Sequence, residues 1–185
     1  MLFSIIIVGV IVLVLILIYN NLVAKKNQVA NAFSSIDVLL KKRFDLIPNL
    51  TKMVKRYMQH ETQVLTQVTD MRTRALSGRM TDAETVEMDQ QVSGALGKIM
   101  VAVENYPELK ASDTFINLQA SLNEVEEQIS AARRAYNSSV NDYNNALDMF
   151  PSNIIAGLLR YQRKVFFEIE AREKENIDVG QILDI

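Results

Sequence analysis

Hydrophobic and polar positions divide the chain into one uncharged apolar stretch followed by a series of amphipathic patterns. The stretch runs from Leu2 to Tyr19, LFSIIIVGVIVLVLILIY, and contains no charged side chain. As a helix it would span roughly 27 Å at about 1.5 Å per residue, close to the thickness of the hydrocarbon core of a bilayer. A cleaved signal peptide and a buried core helix are the alternatives, but no basic residue precedes the stretch and no small-x-small cleavage site follows it. We expect residues 1–19 to be a transmembrane anchor.

The pattern after this stretch predicts that the same helix continues. An apolar stripe with the three-, four- and seven-residue spacing of an amphipathic helix is formed by Leu22, Val29, Phe33, Ile36 and Leu40. No Gly or Pro interrupts the chain here, so we predict one helix from the membrane to about Phe44. Such a helix would hold the domain roughly 35 Å from the bilayer. Pro48 is expected to break or kink it, because proline lacks an amide donor and disfavours helical backbone at Ile47.

A second helix is predicted after Pro48 and a third after a short turn. The apolar positions of the second are Leu50, Met53, Tyr57, Val64, Val68, Met71 and Ala75. Ser77-Gly78 is expected to end it. Thr81 and Glu84 then have the spacing of a capping box, which predicts the start of the third helix.

The fourth predicted helix is the longest. Tyr106-Pro107 ends the third helix, and Asp113 is a candidate N-cap for the fourth. An apolar heptad then runs from Phe115 to Leu147, and a seam of that length predicts partner helices on both sides. Pro151 is expected to end this helix.

The end of the chain predicts a short basic amphipathic helix and a tail. One side of that helix would carry Ile154, Leu158, Tyr161 and Val165. The candidate face for a membrane surface or a protein partner consists of Arg160, Arg163, Lys164, Phe166 and Phe167. We expect this segment to pack on its own bundle, with a protein partner or a lipid surface as the alternatives. Residues 168–185 are charged and weakly patterned, which predicts a flexible tail. The sequence therefore predicts an all-α protein, with an elongated antiparallel bundle of about four helices and a short C-terminal helix over residues 20–167.

Composition narrows the function classes. The 185 residues carry a net charge of −2, with one histidine and no cysteine. Disulfides, thiolate metal sites, cysteine nucleophiles and two-histidine metal motifs are thereby excluded. The glycines form no phosphate-binding pattern, so no cofactor is expected. No face combines clustered basic residues with exposed aromatic ones, so nucleic acid is not an expected partner. We predict a protein that is not an enzyme.

The charges that follow the apolar stretch predict its orientation. Eight basic residues lie between Lys25 and Arg56, against two acidic ones, Asp37 and Asp45. The positive-inside rule then places the bundle in the cytoplasm and the short N-terminus outside. We expect these basic residues to lie on ordinary solvated helix faces, and contact with anionic headgroups is the alternative.

A few polar residues on or beside the apolar stripes are candidates for a structural polar network. Glu61 lies on the stripe of the second predicted helix, where a buried carboxylate must be paired or protonated. Its candidate partners are Arg43, at the end of the first helix, and Arg133, beside the seam of the fourth. We expect an ion pair or hydrogen-bond network that fixes helix register. A metal or proton-linked site with His60, or a site facing a partner chain, is the alternative.

Asp37 and two Tyr-Asn pairs belong to the same predicted network. Asp37 is expected to pair with Lys41 or with an arginine of another helix, or else to face a partner. Tyr136-Asn137 and Tyr143-Asn144 recur one heptad apart. We expect their rings to pack in the seam and their hydroxyl and amide groups to bond neighbouring helices. A ligand-stacking site is the alternative.

Long segments of the sequence resemble the LemA family. They are NLVAKKNQVANAFSSIDVLLKKRFDLIPNLTKMVKRYMQHE, ENYPELKASDTFINLQASLNEVEEQISAARRAYNSSVNDYN and MFPSNIIAG. The resemblance covers nearly everything from Asn20 to Phe167, in the family's order. It implies an antiparallel helical bundle tethered to a bacterial membrane, with MamQ-like magnetosome proteins among its relatives and no catalytic activity. The family's Pro-x-Val-x-Phe ending is not found in this tail.

These observations lead to one function hypothesis and two alternatives. The first is a non-enzymatic scaffold, anchored in the bacterial inner membrane, that self-associates through its soluble helices. The resemblance suggests the second, an adaptor or regulator of an HtpX-type membrane metalloprotease or envelope-stress complex. A hydrolase or metalloenzyme is the third, and it would depend on Glu61.

Overall fold

The computed structural model of the chain describes residues 1–58, 62–78 and 80–167, which form α-helices and contain no β-strand. In chain order the helices are α1 (Leu2–Tyr57), α2 (Thr62–Leu76), α3 (Asp82–Val103), α4 (Pro107–Lys110), α5 (Asp113–Asp148) and α6 (Ser152–Leu158). The prediction of an all-α bundle with one long apolar N-terminal helix is confirmed. The predicted tail, 168–185, lies outside the described residues.

The predicted break at Pro48 is wrong, because α1 continues through this residue to Tyr57. A proline inside a helix leaves the carbonyl four residues earlier without its amide donor. That carbonyl belongs to Phe44, and it accepts a hydrogen bond of 3.0 Å from Nε of Arg72 in α2. The Arg72 side chain of α2 therefore replaces the missing bond of α1, and α1 ends at Tyr57 instead.

Arg72 and Pro48 should consequently be coupled in stability. We expect Arg72→Ala to lower the free energy of unfolding by about 1–2 kcal/mol, because it leaves the Phe44 carbonyl unpaired. Pro48→Ala restores an amide at that point of α1, so in this background the same Arg72 substitution should have a smaller effect. Urea denaturation of the four proteins of this double-mutant cycle measures the coupling. Equal effects in both backgrounds would contradict the bond's role.

The bundle is organised around the antiparallel packing of α1 and α5. Lys25 of α1 pairs with Asp142 of α5 at 3.9 Å. Further along α1, Lys42 pairs with Glu124 at 3.8 Å. Residue numbers therefore increase along α1 in the direction in which they decrease along α5, which makes the two helices antiparallel. The apolar stripes predicted for these helices form the core between them. Its fully buried members include Ile36, Leu40, Ile47, Phe115, Val125 and Ile129.

In this packing, the bundle begins directly at the end of the apolar stretch. Leu22 is buried and Ile18 packs partly against the core, although the preceding residues of α1 are exposed. The expectation that α1 would hold the domain roughly 35 Å from a bilayer is therefore wrong. The reason is that α5 and α6 pack along α1 down to this level, so no bare stalk remains between the apolar stretch and the bundle.

The ends of the middle helices follow local hydrogen-bonding rules. Thr81 caps α3, with the Glu84 amide donating to its Oγ1 at 3.3 Å and the Thr81 amide donating to the Glu84 carboxylate at 2.7 Å. The Thr81 hydroxyl also donates to this carboxylate at 2.8 Å, and the two bonds to the carboxylate, first that from the backbone and then that from the hydroxyl, hold the pKa of Glu84 below its usual value. The helical turn α4 begins at Pro107. Ser112, not Asp113, occupies the N-cap position of α5.

The C-terminal segment differs from the predicted amphipathic helix. α6 ends at Leu158, and residues 161–167 have no helical hydrogen bonds. Arg160 has a φ of 53°, a left-handed conformation in which an α-helix of L-residues does not continue. The chain turns there and runs back along α5 in an extended conformation. The peptide bond between Phe150 and Pro151, which precedes α6, is cis.

Candidate functional site

Four charged residues from three helices meet inside the bundle. We call this group the ion cluster: Arg43 of α1, Asp89 of α3, and Glu126 and Arg133 of α5. Arg43 Nη1 donates to Asp89 Oδ1 at 2.9 Å, and Arg43 also forms a salt bridge with Glu126. Arg133 pairs with the other oxygen of Asp89, and its Nη1 lies 3.8 Å from Glu126. The two arginines and the two carboxylates thus form a closed ring of opposite charges.

Two of the four side chains of the ion cluster are almost completely buried. The side chains of Arg43 and Asp89 are 2% and 0% exposed, whereas that of Glu126 is 42% exposed at the rim. Ser93 of α3 accepts a further hydrogen bond from Arg43 Nη1 at 3.1 Å. A buried charge without a partner is strongly destabilising, but a paired one fixes the relative positions of the helices that carry it. The cluster therefore sets the register among α1, α3 and α5.

A second polar site lies on α5, where the two Tyr-Asn pairs bind the extended segment 161–167. We call these four side chains the Tyr-Asn ladder. The amide of Asn144 donates to the Lys164 carbonyl at 2.9 Å, and its oxygen accepts from the Lys164 N–H at 2.9 Å. Asn137 makes the same two bonds with Phe167, at 3.0 and 2.8 Å. Each asparagine therefore satisfies both main-chain groups of one residue of the segment, as a neighbouring strand would.

The tyrosines repeat this arrangement with the same step. Tyr143 donates its hydroxyl to the Gln162 carbonyl at 3.2 Å, and Tyr136 donates to the Val165 carbonyl at 3.1 Å. Seven residues of helix rise about 10.5 Å, and three extended residues cover about 10 Å. One heptad of α5 thus matches three residues of the antiparallel segment. This match explains why two pairs one heptad apart bind one continuous stretch of backbone.

Phe167 is the side-chain anchor of the same segment. It is buried and lies edge-on to the Tyr136 ring, with 5.3 Å between the ring centroids, and Phe33 of α1 completes the group. The interpretation of Phe167 as part of a membrane or partner face is therefore wrong, because this ring belongs to the chain's own core. Phe166 and Arg160 are exposed, Arg163 pairs with Asp148 at 3.0 Å, and Lys164 is held through its backbone.

The other predicted site residues lie elsewhere. Asp37 is exposed on α1, at a groove between α1, α2 and α3 that Phe44 and Met88 also line. Its predicted partner Lys41 forms a salt bridge with Asp45 at 3.1 Å. Glu61 and His60 lie outside the described residues. The structure thus brings Arg43 and Arg133 together around Asp89 and Glu126, two residues that the sequence reasoning missed.

The stability that the Tyr-Asn ladder contributes should depend on pH in the alkaline range. Burial, and to a smaller extent the Tyr161 side chain, raises the pKa of the Tyr143 hydroxyl above its usual value of 10.0. The folded protein therefore retains this proton more tightly than the unfolded chain does. The contribution to stability is complete below pH 10 and is lost as the pH rises through the folded pKa.

We expect Tyr143→Phe to lose less stability than the unsubstituted protein when the pH is raised past 10. All other ionisable groups are common to the two proteins, so the difference between their pH profiles isolates Tyr143. Chemical denaturation at a series of pH values, followed by circular dichroism, measures it. Parallel pH profiles would show that this hydroxyl does not contribute.

The described residues offer no obvious catalytic centre. Within residues 1–58, 62–78 and 80–167, no three His, Asp or Glu side chains converge in a way that could hold a metal ion. The charged side chains of the ion cluster pair with one another, and the side chains of the Tyr-Asn ladder bond the main chain of residues 161–167. Fold and sites together define a class of helical bundle whose first helix, exposed and apolar over its N-terminal part, is long enough to cross a membrane.

Comparison with known proteins gives the family. The model of the LemA family matches residues 32–180, and the chain belongs to this family. It is 24% identical over 181 residues to Protein LemA of Metamycoplasma hominis, covering 98% of this chain and 83% of that protein.

The chain is also similar to magnetosome proteins. It is 25% identical over 175 residues to Magnetosome protein MamQ 2 of Paramagnetospirillum magneticum, which covers 81% of this chain. It is 24% identical over 174 residues to Magnetosome protein MamQ of Magnetospirillum gryphiswaldense, which covers 80% of this chain. In both cases the match spans 64% of the relative's length. Family and fold together indicate a membrane-associated helical protein.

Proposed function

We propose that this protein is a non-enzymatic helical scaffold that is anchored in the bacterial inner membrane and self-associates there. The observation that carries the proposal is the continuity of α1, which passes from an exposed apolar stretch into the centre of the bundle as a single helix. Anchor and bundle therefore share one rigid element. A scaffold needs such a connection because it must hold its binding surfaces at a fixed place relative to the membrane.

The use of polar groups supports a structural role. The ion cluster joins three helices, and the Tyr-Asn ladder holds the C-terminal segment against α5. Active sites expose ionisable groups to a substrate-sized cleft, whereas these groups are occupied by one another or by the backbone. Exposed apolar side chains on three long helices are available for contacts between copies. They are Val38 of α1, Val101 of α3 and Ile116 of α5.

The native mass of the protein, extracted mildly from its own membrane, tests the proposal. We expect a defined homo-oligomer by native mass spectrometry. Because the chain lacks cysteine, single cysteines at Val38, Val101 or Ile116 should form disulfide-linked dimers if they lie at the contacts. Glu127→Cys, exposed on α5, is the matched control. A single-chain mass would contradict self-association, and a stable complex with a membrane protease would favour the adaptor function instead.

The orientation is a separate part of the proposal. The basic residues that follow the apolar stretch support a cytoplasmic bundle and an external N-terminus. A cysteine at Glu127, exposed on α5, should then remain unlabelled by a membrane-impermeant maleimide in intact cells and become labelled after lysis. Labelling in intact cells would reverse the orientation.

A further inference from the structure

The turn from α5 to α6 carries the most prominent apolar surface of the described bundle. We call residues 149–159 the apolar corner. Phe150, Ile154 and Leu158 are 79%, 63% and 83% exposed, and Met149 is also exposed. Ile154 and Leu158 are one helical turn apart and share a face of α6, while Ala156 on its other side is buried in the bundle. Large apolar side chains are thus exposed on one side of a short helix, whose other side packs on the bundle through Ile155 and Ala156.

Two contacts fix the height of this corner along α1. Lys25 pairs with Asp142. From Asp142, α5 continues toward the apolar stretch for about 9 Å before it ends at Asp148. Lys26 lies over the ring of Tyr161, 5.1 Å from its centroid, where the chain has already turned back. The corner between these two points therefore lies on the anchor side of Lys25 and Lys26. It is level with the last residues of the apolar stretch.

The end of a transmembrane anchor lies at the depth of the lipid headgroups. The hydrocarbon core is about 30 Å thick and the polar regions add several ångströms on each side, so an element beside the end of the anchor lies in the interfacial layer. The side chains around the corner match that layer. Tyr19 and Tyr161 are aromatic residues with a polar tip, and Lys26 and Arg160 are cationic. Among the described residues, the acidic side chains at this height are Asp142 and Asp148, which are paired with Lys25 and Arg163.

We propose that the apolar corner is a second membrane contact of this protein. Phe150, Ile154 and Leu158 insert at the boundary between headgroups and acyl chains, in the leaflet from which α1 emerges, and anionic headgroups bind beside Lys26 and Arg160. Interfacial helices bury their apolar face in this way. The inference rests on the proposed membrane anchor and adds to it, since it gives the bundle two points of attachment. The two points of attachment together restrict rotation of the bundle about the axis of α1.

Depth-dependent quenching in vesicles tests this contact on the full-length protein. Single cysteines replace Phe150, Ile154 or Leu158 in the cysteine-free chain and carry an environment-sensitive fluorophore. The vesicles contain phosphatidylcholine and phosphatidylglycerol, with or without bromine in the acyl chains. Val14→Cys, in the exposed apolar stretch, reports on the anchor itself. Ile116→Cys is the matched control, because it is an exposed apolar position near the opposite end of α5.

The expected result is loss of emission with brominated lipid at the three corner positions and at Val14, and no loss at Ile116. Quenching at Val14 without quenching at the corner would overturn the second contact and leave the anchor in place. No quenching even at Val14 would overturn the anchor, and the corner contact with it. Quenching at Ile116 as well would mean that the whole bundle lies on the membrane, which also overturns a contact limited to the corner.

Discussion

Arg43→Met is expected to lower the free energy of unfolding by about 3–5 kcal/mol, the largest effect we expect from one substitution. Arg43 is almost fully buried and pairs with both carboxylates of the ion cluster. Its removal leaves Asp89, which has a fully buried side chain, with Arg133 as its one remaining partner in the cluster. Because small domains are stable by about 5–15 kcal/mol, such a loss is a large part of the total. Urea denaturation followed by circular dichroism measures it.

Two further variants separate the burial of charge from the loss of packing. Lys41→Met lies on the same helix and removes an exposed pair with Asp45, so its effect should remain within about 0.5 kcal/mol. The double substitution Arg43→Met with Asp89→Leu removes the buried charge together with its partner and leaves Glu126 with Arg133. It should be less destabilising than Arg43→Met alone. The opposite order would show that the cluster acts mainly by packing.

Asn144→Ala is expected to release the C-terminal segment locally. The substitution leaves the N–H and the carbonyl of Lys164 without their partners, and each lost bond contributes about 1 kcal/mol. The amide of Lys164 should then exchange with solvent deuterium roughly tenfold faster or more, as expected for a local opening that is easier by 1.4 kcal/mol or above. Exchange measured by NMR resolves this one amide.

The chain contains its own control for the ladder. Asn145→Ala replaces an exposed asparagine of the same helix next to the ladder position, and it should leave the exchange of Lys164 unchanged. Asn137→Ala should act in the same way on the amide of Phe167, with a smaller effect on Lys164. If both asparagine substitutions left exchange unaltered, the segment would be held by Phe167 and its aromatic neighbours alone.

The positions of the ion-cluster residues in the sequence indicate that they face the interior of the bundle. Arg43 follows Leu40 by three residues, Asp89 precedes Val92 by three, and Glu126 and Arg133 flank Ile129 by three and four. All four residues therefore lie on or beside apolar stripes. Periodicity shows that such charges face the interior, but it does not show which of them meet. That depends on how three helices are shifted relative to each other, a property of the packed bundle.

The two misassigned segments have a different cause. At Pro48 the sequence correctly indicates a missing hydrogen bond, but the donor that replaces it, Arg72, comes from another helix. In residues 161–167 the apolar spacing fits a helix, yet the backbone groups are bound by the side chains of α5. Local sequence rules show which backbone groups of a segment lack a hydrogen-bond partner. They cannot identify the distant residue that supplies this partner. The Tyr-Asn repeat was visible as a pattern, although its target was expected to be helical.

The single helix α1 also makes the bundle a lever. Of its 56 residues, those after Tyr19 extend about 55 Å through the bundle to Tyr57. Transmembrane helices adjust their tilt when the thickness of the bilayer changes. With no joint between the apolar stretch and the bundle, a change in tilt of about ten degrees displaces the far end of α1 by about 10 Å. In a protein anchored as proposed above, the thickness of the membrane would thereby set the lateral position of the far end of α1.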